Sequence, residues 1–335
     1  MAVEMNTVSR ERIPVTLLTG FLGAGKTTLL NHILSANHGH KIAVIVNEFG
    51  EVGVDNKLVV GADEEIFEMN NGCICCTVRG DLIRILGELR DARIGKNGRK
   101  VDFDRVLIET TGLADPAPVI QTFYVDQEVD DAYSLDAVVT VVDAKHAEQH
   151  LDDGHEAQEQ VAFADVLLLN KIDLASEDEV KSLENRLRSM NPYARIYRTE
   201  KSNIETEKIL GINAFDISKK LEIDPGFLEE EDHEHDNSVT SIVLREEKPL
   251  DLRKVEKWLF GWLTTHGADV FRYKGFLYIN NVKQRVLIQG VHMLFESAGD
   301  RPWKDGEEKI SELVLIGRNL DSSWFQKGFE ECVAH

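Results

Sequence analysis

Four short stretches hold residue types that could do chemistry. The first is GFLGAGKTT, Gly20 to Thr28. It fits the pattern G-x-x-x-x-G-K-[ST], a phosphate cradle. Gly20, Gly23 and Gly25 allow the backbone to curl so that N–H groups face phosphate oxygens, and Ala24 is a cofactor-binding position among them. Lys26 brings positive charge to the β- and γ-phosphates. Thr27 offers a hydroxyl to Mg2+, and Thr28 lies near the α-phosphate. The second stretch is VLIETTG. Glu109 ends its apolar run and could orient Mg2+ or water, although a plain strand-end carboxylate is the alternative. Gly112 would let a backbone N–H approach the γ-phosphate.

The third stretch is VLLLNKID. Asp173 would accept from the N1–H and exocyclic amine of guanine. Asn170 would bond the base edge, with the Lys171 stem beside it. Adenine would leave the Asp173 carboxylate unpaired, so GTP is favoured over ATP. An ATP-dependent kinase is the reading this motif argues against. The segment YRTEKSN after the next strand could add base contacts.

The fourth stretch, NGCICC, puts Cys73, Cys75 and Cys76 within four positions. Two or three thiolates could bind one ion, with Glu, His or water completing the set. Zn2+ accepts such a tetrahedral set, and cobalt or Cu(I) would compete. A redox role and inert buried thiols stay open, while a disulfide between adjacent cysteines would be strained. Just upstream, NEFGEVGVDN holds Glu48 and Glu51, candidates for metal or water contact where a nucleotide-sensing loop would lie. A solvated acidic loop is the plainer reading. With Lys26, Glu48 and Glu109 are the candidate catalytic residues. Lys26 and Mg2+ would supply positioned charge, and Glu48, Glu51 or Glu109 would orient water.

The elements that must position these residues follow from periodicity. Apolar runs at 13–20, 41–47, 64–69, 104–112, 135–143, 165–173 and 194–200 read as strands. Helices are expected over 26–35, about 81–90, a Pro-started region after Gly112, and 176–190, where Ser176 is the N-cap. The alternation predicts a largely parallel sheet covered on both faces. After about Lys220 the pattern changes. Residues 229–235 are all acids or histidines, which reads as a solvated linker. Beyond it, strands over 238–247, 270–280, 285–297 and 312–320, with helices over 251–266 and 322–333, predict a smaller α+β unit.

The chain has 335 residues, 59 acidic and 38 basic side chains and a net charge of −21. Such a surface repels phosphate backbones and anionic membranes. No nucleic-acid or membrane partner is expected, and the chain is read as a monomer or weak homo-oligomer. No run of about 20 apolar residues spans a membrane. The first thirteen residues lack a signal peptide's apolar core, so a cytoplasmic setting with reduced thiols is expected. His146 and His150 share a helix face, with His155 nearby. Surface or core histidines are preferred there over an exterior metal site, as solvated linker is for His233 and His235. His32, His38 and His40 have no evident partner.

In this order, GFLGAGKTTLL, NEFGEVGVD, NGCICC, ETTGLADP and NKID resemble the CobW family, and the segments DVFRYKGFLYINNVKQRVLIQGVHMLF and DRPW its YjiA-like branch. The resemblance covers nearly the whole chain. It implies a P-loop GTPase domain of α/β class at 1–220, an acidic, His-bearing linker at 221–238, and a C-terminal α+β domain at 239–335. It implies slow hydrolysis of GTP to GDP and phosphate, zinc or a related metal at C-x-C-C, and delivery of that metal to a client metalloprotein through the C-terminal domain. It assigns Lys26 and Thr27 to phosphate and Mg2+, and Asn170 and Asp173 to guanine. Cys75 and Cys76, with Cys73, go to metal, and Glu51 is an oxygen ligand. One departure is Val46, directly before Asn47, where relatives carry an acid. The competing class is a GTP-dependent regulatory binding protein with a structural zinc.

Overall fold

The computed structural model describes residues 12–47, 66–69, 76–96, 98, 100–215, 239–304 and 306–334, with backbone alone for 47, 66–69 and 76–78. Among these, β1 (Ile13–Gly20), β2 (Ile42–Asn47), β3 (Ile66–Met69), β4 (Arg105–Glu109), β5 (Tyr133–Asp143), β6 (Val166–Asn170) and β7 (Arg195–Arg198) form one sheet. Its order is β3-β2-β4-β1-β5-β6-β7, and every neighbouring pair is parallel. The alternation of side chains sorts this sheet's residues between two apolar clusters. Leu17, Val106, Ile108, Leu167 and Leu169 join one, and Leu18, Leu107, Val166 and Leu168 join the other.

Helices cover both faces. On one lies α1 (Lys26–Ser35). On the other lie α2 (Cys76–Arg93), α3 (Ala117–Val125), α4 (Gln127–Ala132), α5 (Ala147–Asp153), α6 (His155–Ala162) and α7 (Glu177–Met190). Ser176 caps α7 as expected, and Glu179 returns the bond to its backbone. The helix expected over 81–90 begins earlier, at Cys76. Gly80 lies inside this helix, and among the described residues a β-carbon there would meet nothing within 4 Å. Leu82, Ile85, Leu86 and Leu89 bury one stripe of α2, which outweighs the roughly 1 kcal/mol that one glycine costs.

The remaining described chain forms β8 (Thr240–Glu246), α8 (Leu252–His266), β9 (Val270–Leu277), β10 (Gln284–Val291), β11 (Leu294–Pro302), β12 (Ser311–Gly317) and α9 (Ser322–Glu330). These strands make an antiparallel sheet in the order β11-β10-β9-β12-β8. Trp262, Tyr273, Phe325 and Phe329 fill the layer between this sheet and its two helices. The expected α/β and α+β classes are both present. The single strand expected over 285–297 is instead two strands. Val291 pairs with Leu294 around a turn in which His292 takes φ 51°. His292 is neither Gly nor Asn, so the turn carried no sequence signal. Its ring is held between Phe163 at 5.6 Å and Phe271 at 5.5 Å, and Nδ1 donates to the Gly267 carbonyl at 3.3 Å.

The two sheets share a core. Phe271, Val291, Val314 and Ile316 of the second belong to the same apolar cluster as Phe163 and the α6 and α7 side chains. Within that contact Arg272 pairs with Asp165, both nearly fully buried. Arg272 also donates to the Phe163 carbonyl at 2.8 Å and lies over the Phe215 ring. Asp165 accepts the Val138 N–H at 2.8 Å. Breaking such a pair from one side strands a buried charge. Arg272→Met is expected to lower unfolding free energy by about 3–5 kcal/mol. A denaturant titration showing a loss under about 1 kcal/mol would mean that the pair does not hold the sheets together.

Candidate functional site

The carboxyl ends of β1, β4, β5 and β6 reach one edge of the parallel sheet. Register fixes their levels: Leu18 lies beside Glu109, Gly20 beside Val141, and Asp143 beside Asn170. Crevices at such edges are where open α/β sheets bind ligands.

The phosphate loop runs from Gly20 to the start of α1. Gly20 and Gly25 take φ 138° and 113°. A β-carbon on Gly20 would strike the Val141 backbone, and one on Gly25 would strike the Asn170 amide. These two glycines are therefore required by space as well as by conformation. Lys26 Nζ donates to the Gly20 carbonyl at 2.8 Å and the Phe21 carbonyl at 3.3 Å, closing the loop on itself. Burial pushes the Lys26 ammonium below its ordinary pKa, and the nearby Glu109 carboxylate opposes that. Thr27 Oγ1 donates to Glu109 Oε1 at 3.2 Å. A hydroxyl and a carboxylate side by side are the hard-oxygen donors that Mg2+ takes. Thr28, in the first turn of α1, is exposed.

Gly112 packs against the Leu22 backbone, with no room for a β-carbon. The turn after Glu109 and the phosphate loop are therefore in contact. Asn170 is buried. Its Nδ2 donates to the Ala24 carbonyl at 2.9 Å, and its Oδ1 accepts the Ser202 N–H at 2.8 Å. Ser202 Oγ donates to the Gly25 carbonyl at 3.2 Å. Asn170 thus braces the loop, a role distinct from the base contact expected of it. Lys171 takes φ 61°, and its Nζ reaches Asp143 Oδ2 at 2.8 Å. Asp173 is exposed on the turn formed by Ile172–Leu174.

Asp143 was not anticipated. Burial would raise its pKa, but the Lys171 ammonium, His146 and the Lys145 N–H together hold it below the ordinary value. It ends an apolar strand, as Glu109 does. What hid it is that only the sheet order reveals β5 as the neighbour of β6. Ser202 lies in the segment read as a source of base contacts; here it supports the loop. His32 gains a partner too, donating from Nε2 to the Ile204 carbonyl at 2.7 Å.

His146 precedes α5 instead of sitting within it, and its Nδ1 bonds Asp143. Among the described residues no three of His, Cys, Asp and Glu are arranged to hold a metal ion. His146, His150 and His155 do not make an exterior metal site. Glu48, Glu51, Cys73, Cys75, His233 and His235 lie outside the described residues, and Cys76 is described only as the first residue of α2. The backbone nevertheless places the strands that lead to them. Val46 of β2 is the register neighbour of both Glu109 and Glu68, and Asn47 is that of Met69.

The family models agree with this architecture. The CobW/HypB/UreG nucleotide-binding domain matches residues 14–198, and the cobalamin synthesis protein CobW C-terminal domain matches 239–333. The chain belongs to the CobW/HypB/UreG family. It is 41% identical to the zinc chaperone YjiA of Escherichia coli K12, across 95% of this chain and 98% of that one. It is 36% identical to the zinc chaperone CobW of Pseudomonas aeruginosa, across 93% and 89%. The Zn(II)-bound YjiA GTPase structure from E. coli superposes with a TM-score of 0.80, at 34% identity, over 97% of this chain and 100% of that one.

For this CobW-family chain, Gly112→Ala should push the Leu22 backbone away and open the phosphate loop. Guanine-nucleotide affinity is expected to fall at least about tenfold, a cost of roughly 1.4 kcal/mol. Calorimetric titration with GDP measures it, and unchanged affinity would show that the contact does not shape the loop.

Proposed function

We propose that this protein is a GTPase that hydrolyses GTP to GDP and phosphate and acts as a zinc metallochaperone, passing the ion to a client protein. The observation that carries the reading is the shared sheet edge. The phosphate loop, the Thr27–Glu109 pair and the Asn170–Asp173 turn stand at the carboxyl ends of β1, β4 and β6. At the same ends, the chain leaves β2 into the segment holding Glu48 and Glu51, and leaves β3 into the segment holding Cys73 and Cys75. Neighbouring strands lie about 4.8 Å apart, so the chain leaves β3 only two strand spacings from Glu109.

Lys26 supplies positive charge to the β- and γ-phosphates, and its closed position at the loop's foot is ready for that exchange. Asp173 reads guanine, Asn170 fixes the loop beneath the base, and Lys171 is aligned by Asp143. Thr27 and Glu109 would hold Mg2+, which when bound neutralises charge on the phosphate oxygens. Glu48, Glu51 or Glu109 orients the attacking water. Cys73, Cys75 and Cys76, with Glu51, take the zinc cargo. Residues 1–220 form the GTPase domain, 221–238 the linker, and 239–335 the domain that meets the client. A reducing cytoplasm suits free thiols. Among the described residues no helix is long and apolar enough to cross a membrane.

If zinc favours the GTP-bound shape, GTP favours zinc by the same free energy. Zinc should therefore bind at least about fivefold more tightly with a non-hydrolysable GTP analogue than with GDP. Competition against a chromogenic chelator measures both affinities; equal values would sink the coupling. Asp173→Ala should separately lower GTP affinity by roughly a hundredfold and erase discrimination against ATP. Retained discrimination in a two-nucleotide binding assay would remove Asp173 from base reading.

A further inference from the structure

Gln160 is a polar side chain on the buried face of α6. Ala157, Val161 and Ala162 of α6 are all buried, and Gln160 itself is 1% exposed. An amide in such a place is costly unless it is paired. Its Nε2 donates to the Gly112 carbonyl at 3.1 Å and to the Ala114 carbonyl at 3.2 Å. The turn between them presents Leu113 to solvent, 54% exposed. This is the turn that follows Glu109 and packs on the phosphate loop through Leu22.

The geometry points to Gln160 as a positioning residue for GTP hydrolysis, acting through the Gly112–Ala114 turn. A trans peptide directs its N–H opposite to its carbonyl. With the Gly112 carbonyl held toward α6, the Leu113 N–H is turned away from α6. One side chain thus sets the peptide that follows Gly112. The support behind it is firm. Thr140 Oγ1 of β5 donates to the Gln160 carbonyl at 2.8 Å. Arg318, just beyond β12, pairs with Glu159 at 3.2 Å and donates to the His155 carbonyl. Gln160 therefore sits on a helix held by both sheets, and it grips the segment where a γ-phosphate would be sensed.

The inference rests on the GTPase reading, and the test separates the two. Gln160→Met keeps length and apolar fit but loses both donors. Gln158→Met is the control. It removes a second buried amide from the same helix, one that donates to the Leu151 carbonyl at 2.7 Å, whereas the bonds to Gly112 and Ala114 come from Gln160. In the full-length protein, Gln160→Met should lower kcat by roughly ten- to a hundredfold, with KM for GTP and affinity for GDP within about twofold. Gln158→Met should keep kcat within about twofold while losing a similar amount of thermal stability. Equal kcat losses in the two variants, or a parallel fall in GDP affinity, would overturn the positioning role and leave the GTPase reading intact. A wild-type protein that does not turn over GTP under the same conditions would overturn both.

Discussion

The Asn170 amide donates to the Ala24 carbonyl, accepts from the Ser202 N–H, and fills the space that a β-carbon on Gly25 would need. One buried side chain thereby ties the phosphate loop to the end of β6 and to the segment after β7. The loop's curl, the start of α1 and the level of the Asn170–Asp173 turn all follow from that joint. Leaving its donors and acceptors unpaired would cost far more than the joint contributes when complete. Its geometry is therefore strongly specified.

Around that joint the fold resolves an electrostatic conflict. The chain carries a net charge of −21, yet its crevice is built for a polyanion. Surface charge is screened beyond about 8–10 Å at physiological salt. Lys26 and the N–H groups of the loop act well inside that range, at the foot of a helix whose N-terminus favours anions. Local donors decide what binds, and the global charge decides what does not come near. The Asp143–Lys171 pair belongs to the same local balance, because it fixes a cation beside the Ile172–Leu174 turn.

Much of the site was legible because its chemistry demands particular residues in a particular order. The glycines, Lys26, Thr27, Glu109 and the NKID turn stand at the strand ends that apolar periodicity predicted. The α7 cap was readable for the same reason, since one Ser and one Glu at fixed spacing do the work. What escaped reading depends on strand order and on long-range packing. Asp143 matters because β5 lies beside β6, and Gln160 because α6 lies behind Gly112. The β10–β11 turn escaped because His292 holds a left-handed conformation through ring packing that spans both sheets. The first turn of the helix over 76–93 escaped because its apolar stripe begins only at Leu82.

The shared core between the sheets also has a consequence for biosynthesis. Arg272 bonds the Phe163 carbonyl across 109 positions of sequence. A ribosome adds roughly 5–20 residues per second, so about 5–20 seconds separate the two groups as the chain emerges. For that interval Asp165 lacks its guanidinium, and the face of α6 and α7 that Phe271, Val314 and Ile316 will cover stands open to water. The first sheet is assembled before its cover exists. The nascent chain is most vulnerable to wrong association while the second sheet is still being synthesised.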